Sequence, residues 1–150
     1  MKTKVLMIDM CGWGGLTHYT YNLMQALAAG GVFDPALLTD SSYELEGLPR
    51  NFKIIERAFR GRPYIPAVFA LIREIFMRRP GIIHVQSGLS ARKDCFIFAL
   101  ARLSGASIVY TAHNVLPHEE SEKRAFFMRF WRALYSAFFT ACGFMSTPRT

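Results

Sequence analysis

The chain has 150 residues, of which 51% are hydrophobic, 14% aromatic and 19% charged; that length can bury a sizeable core, and that composition excludes a disordered chain. A net charge of +7 and an isoelectric point of about 9.7 point to anionic partners, among them nucleic acid, a phosphorylated substrate or an acidic membrane surface. No run reaches the ~18 apolar residues of a membrane span, and Asp9 and the glycines follow the N-terminal apolar run too closely for a signal peptide.

Residues 5–8 are short, apolar and β-branched enough for a buried strand, which ends near Asp9 or Met10 before the turn-formers at 11–15. Leu16, Tyr19, Leu23, Ala26 and Leu27 then recur at helical spacing until Gly30 and Gly31. A break at Pro35 leaves a short second strand, 36–39, closed by Asp40, Ser41 and Ser42. Residues 52–56 are a third strand and 60–63 a loop. Residues 65–79 are an amphipathic helix closed by Pro80, with 82–85 as the fourth strand. A helix from about Ala91 stops at Gly105, and a fifth strand covers 107–112. The long apolar and basic stretch 121–139 reads as helix, and 143–147 as the opening of a sixth strand.

Strands alternate with helices throughout, which argues for an α/β fold, Rossmann-like and doubly wound, with a mostly parallel sheet. If the strand order is the common one, it reverses between the first and fourth strands, and ligands bind at the carboxyl ends there. That rule selects three loops. The first carries Gly12, Gly14 and Gly15; the second Gln86, Ser87, Arg92 and Lys93; the third His113, Asn114 and His118.

The glycine loop opens a helix, whose N–H groups and dipole favour an anion, and phosphate is the expected one. The same glycines also suit a tight turn that needs them for geometry alone, and the loop by itself does not choose. It matches neither G-x-G-x-x-G nor G-x-x-x-x-G-K-[ST]. A different Rossmann-like nucleotide enzyme is disfavoured on that ground, and Asp34 and Asp40 supply no clear ribose-binding strand end. His84, inside an apolar strand, is read as a hydrogen-bonded core histidine. His113, His118, Glu119 and Glu120 lack metal-ligand spacing and Pro117 breaks any helix holding them, so no metal site is expected. Cys11, Cys95 and Cys142 are odd in number, far apart and in no C-x-x-C pair. Neither a disulfide framework nor a zinc site follows, and a cytoplasmic setting is the simpler reading.

Gly12-Trp13-Gly14-Gly15 with its helix, Gly81-Ile82-Ile83-His84-Val85-Gln86 and Val109-Tyr110-Thr111-Ala112-His113-Asn114 occur in order and at natural spacing. Together they resemble the N-terminal domain of family 4 glycosyltransferases of the GT-B fold, over residues 5–135. The resemblance implies one half of a two-domain enzyme in which a sugar passes from a nucleotide-sugar donor to an acceptor held chiefly by this domain. It places Gly14 and Gly15 against the donor diphosphate and His113 in the cleft beside the transferred sugar, as the catalytic candidate, with positioning preferred to acid–base work. His18, Gln86, Ser87 and Asn114 are the remaining candidates for lining the cleft or the acceptor, His18 facing either the cleft or solvent. No cofactor is implied beyond the nucleotide sugar as co-substrate.

The family pattern continues into a donor-binding domain, and residues 137–150 fit it only loosely. The expectation is therefore an acceptor-side domain over residues 1–150, truncated near 137–150, whose full activity needs a second domain or partner chain. The stretch 121–139 mixes Lys123, Arg124, Arg129 and Arg132 with Phe126, Phe127, Phe130 and Trp131. That mixture suits an interfacial membrane helix, and with it a peripheral place on the inner membrane face and a lipid-linked acceptor; packing on the sheet is the commoner use and is preferred. A stand-alone phosphate-binding or membrane-interface module is the alternative. Nucleic acid is not expected, because the charge is spread over several elements without a recognition motif.

Overall fold

The computed structural model describes residues 2–59, 65–86 and 91–111, with backbone alone at 91–95. The elements are β1 (Thr3–Asp9), α1 (Gly15–Ala29), β2 (Phe33–Asp40), β3 (Lys53–Arg57), α2 (Ile65–Arg78), β4 (Ile82–Gln86), α3 (Ala91–Ser104) and β5 (Ser107–Thr111). The helix expected over 121–139, the strand over 143–147 and the candidates Ser87, His113 and Asn114 lie outside the described residues. All described residues belong to one unit, Met1–His113.

The five strands form one sheet in the order β3-β2-β1-β4-β5, and every pairing is parallel. β1 is central, with β2 on one side and β4 on the other. Its Val5, Leu6, Met7 and Ile8 are at most 3% exposed, as expected of a parallel strand covered on both faces, where alternation gives way to a continuous apolar run. Met7 and Leu37 face α1 and share a core cluster with Met24, Tyr43, Leu45 and Phe52. Leu6 and Ile8 point to the opposite face by strand alternation. The chain winds outward from β1 through β2 to β3 and returns to β4, so the order reverses between β1 and β4 as the sequence predicts.

Three of the boundaries that differ from the sequence reading have a physical reason. β2 does not break at Pro35 but runs from Phe33, with Pro35 opposite Val5 of β1. β3 pairs with β2 only from Ala36 onward, so Pro35 lies where β2 has a single neighbour, and a residue without an N–H is accepted there. α2 ends at Arg78, one residue early, because Arg79 turns to φ 50°; Pro80 behind it disfavours the helical conformation. β4 extends to Gln86, which pairs with Thr111. Among the described residues no helix is long and apolar enough to cross a membrane.

Candidate functional site

The carboxyl end of β1 feeds the glycine loop, and a buried carboxylate fixes the turn. Asp9 is 1% exposed; its Oδ1 accepts the Cys11 N–H at 2.9 Å and its Oδ2 the Thr17 hydroxyl at 3.2 Å. Thr17 sits in the first turn of α1, so one side chain ties strand end, loop and helix start together. Gly12, at φ +72°, passes close to β2: a Cβ there would stand 3.1 Å from Asp40 Cβ. A side chain at that position would be crowded as well as strained in backbone angle.

Gly14 is the N-cap of α1, at φ 80° and ψ −174°, a conformation essentially reserved for glycine. Its carbonyl accepts from the Thr17 and His18 N–H groups at 2.9 and 3.3 Å, and no side chain caps the helix. A Cβ built at Gly14 or Gly15 would meet nothing within 4 Å. The helix start therefore has room for a ligand beside Gly14 and Gly15, and its dipole favours an anion there.

Glu44, from the connection after β2, reaches this loop. Its N–H donates to the Gly12 carbonyl at 3.0 Å, and its Oε1 accepts the Gly14 N–H at 2.7 Å. His18 is one turn into α1 with Nε2 3.5 Å from the same Oε1 and a side chain 60% exposed. It thus faces a carboxylate at the mouth of the loop, with solvent on its other side.

Gln86 ends β4, the strand beside β1, and is 1% exposed. Its Nε2 lies 3.5 Å from Met7 Sδ. Gly14, Gly15, His18 and Gln86 therefore all follow from the ends of two adjacent strands at the reversal in strand order. His84 is half-buried and hydrogen-bonded: Nε2 shares a 2.7 Å hydrogen bond with Thr111 Oγ1, and burial lowers its pKa below the usual 6.5. A cavity of about 610 Å³ lies elsewhere, at the edge strand β3, lined by Lys53, Arg57, Arg73, Glu56 and Glu74 among others. Arg73 is paired with Glu74 there at 2.8 Å. Among the described residues no group of three or more His, Cys, Asp or Glu side chains could hold a metal ion.

Asp9, Thr17 and Glu44 are the residues that sequence reasoning missed. Asp9 carried a signal, a carboxylate closing an apolar strand directly before a glycine loop. Glu44 carried only the alternation of Tyr43 and Leu45 about it, with no sign of the loop 30 residues away that it would reach.

The model of Glycosyltransferase Family 4 matches residues 13–144. The chain belongs to glycosyltransferase family 4. The match begins inside the glycine loop and extends past β5, in agreement with the resemblance carried by the three sequence segments. The parallel sheet with its reversal at β1 and β4 is the Rossmann-like arrangement expected of a family 4 domain. No curated protein matches the chain. The crystal structure of phenylacrylic acid decarboxylase from Aquifex aeolicus aligns over 100% of both chains at 10% identity with a TM-score of 0.37; at that level the likeness carries no argument.

Proposed function

We propose that this family 4 domain is the acceptor-side half of an enzyme that transfers a sugar from a nucleotide-sugar donor, with the start of α1 lying against the donor diphosphate. The observation that carries the reading is the room at the start of α1, where a Cβ at Gly14 or Gly15 would meet nothing within 4 Å, within the span of the family match. Transfer leaves negative charge on the departing diphosphate, and oriented N–H groups stabilise it without reorganising. The nucleotide is held in this reading by a second domain, in the same polypeptide or a partner chain. In this reading His113 positions the sugar and His18, Ser87 and Asn114 serve the acceptor, while Gln86, 1% exposed, supports the site from inside the core.

The test is release of nucleoside diphosphate from a panel of UDP-, GDP- and ADP-sugars by the complete enzyme carrying this domain, with a membrane extract as acceptor source. At least one donor should be consumed above background. His113→Ala should then lower kcat by ~10-fold or more while changing the donor KM less. Consumption of no donor would remove the transferase reading, and normal kinetics in the variant would remove His113 from the chemistry.

A peripheral place on an anionic membrane face is favoured by α2. Ile65, Phe69 and Met77 are 66%, 68% and 78% exposed, and the first two share one face of the helix with Phe76, beside Arg73. An exposed apolar stripe suits a bilayer interface and would bring a lipid-linked acceptor to the domain.

A further inference from the structure

The connection after β2 delivers one acidic side chain to the glycine loop and holds it there. Tyr43 and Leu45 are 5% and 8% exposed and belong to the apolar cluster under α1, so both neighbours of Glu44 are anchored in the core. The backbone of Glu44 is clipped to the Gly12 carbonyl at 3.0 Å. Its carboxylate accepts the Gly14 N–H at 2.7 Å and stands 3.5 Å from His18 Nε2. An anion supplied by the chain itself thus occupies the Gly14 N–H at the start of α1.

We propose that Glu44 determines the anion specificity of this site: its carboxylate is an internal competitor that the diphosphate of the nucleotide sugar displaces from the Gly14 N–H. The inference rests on the reading of the glycine loop as the diphosphate's neighbour. One N–H at hydrogen-bond distance does not serve two anions, and like charges that close repel even through water. A tethered competitor acts at high effective concentration, so small anions that bind by this contact alone are excluded. A diphosphate with several acceptor oxygens and further attachments overcomes it. Displacement also leaves His18 facing the phosphate oxygens in place of Glu44.

The test uses the isotopically labelled full chain titrated with inorganic pyrophosphate at constant ionic strength, following the amide resonances of Gly14 and Gly15. Glu44→Ala should bind pyrophosphate ~10-fold more tightly than the unmodified chain. Glu44→Gln, which keeps the backbone clip and a neutral acceptor, should fall between the two. Equal or weaker binding in the variants overturns the role of Glu44 while leaving the diphosphate site standing. If Glu44→Ala does not fold, Glu44→Gln decides, since it alters charge but hardly size. Absence of any shift at Gly14 and Gly15 in all the proteins removes the diphosphate reading, and this inference with it.

Discussion

Gly14 and Gly15 are adjacent glycines that answer to different constraints. Gly14 adopts φ 80° with ψ −174°, so Gly14→Ala should destabilise the fold by about 1–3 kcal/mol, measured by denaturant unfolding. Gly15 starts α1 without a positive φ and has open space where a Cβ would go. Gly15→Val should therefore fold with nearly normal stability yet obstruct an anion approaching the loop. Unchanged turnover in a folded Gly15→Val enzyme would remove the phosphate role. His84 supplies a second prediction. Burial holds its pKa below 6.5, so below that pH the unfolded chain binds a proton that the folded chain resists. Stability should be unpenalised above pH ~6.5 and fall as the pH drops from there toward the folded-state pKa. His84→Gln should flatten that part of a stability-against-pH curve, and an unchanged slope would assign it to other groups. Tyr43 stays protonated well above neutrality, its pKa pushed up to about 12 first by burial and then by the charge of Asp9.

α2 buries Ala67, Ala70, Leu71, Glu74 and Ile75 and leaves Ile65, Phe69, Phe76 and Met77 exposed. An amphipathic period locates such a helix but cannot show that it carries apolar residues on two sides, one of which the sheet does not use. Replacing Phe69 and Met77 by Ser should weaken sedimentation with vesicles containing anionic lipid by ~10-fold or more, given ~1.5–3 kcal/mol for each large apolar side chain removed from water. Equal sedimentation would withdraw the membrane reading for this helix. The central strand is legible because a parallel strand buried on both faces reads as an apolar run, as residues 5–8 do. Pro35 misled for a physical reason: its effect depends on whether a second neighbour pairs at that level, and one strand read alone does not contain that information. The helix ends are legible at glycines, Gly31 at φ 71° after α1 and Gly105 at φ 76° after α3, because the backbone freedom that stops a helix is local.

At the scale of the molecule, the alternation of elements fixes only that the sheet is parallel and wound in two directions. The order β3-β2-β1-β4-β5 then places the ends of β1 and β4 side by side, which is why the glycine loop and Gln86 could be grouped from sequence. What the sequence did not disclose is the second layer of contacts that holds the loop: Asp9 on Cys11 and Thr17, and Glu44 on Gly12 and Gly14. The Asp9 contacts are local but need the turn already formed, and the Glu44 contacts exist only once β1 and β2 lie in register.

The central position of β1 bears on synthesis. Within this sheet β1 leaves the ribosome first, β2 covers one of its edges soon after, and the other edge stays open until β4 has emerged, some 75 residues later. At ~5–20 residues per second that is roughly 4–15 s during which an apolar strand carries unpaired backbone groups. Nascent chains stalled with only β1 to β3 outside the tunnel should be cleaved readily by protease in the β1 region, and those stalled after β5 should resist. Protection already complete at the shorter length would mean that the half-sheet folds without its second half.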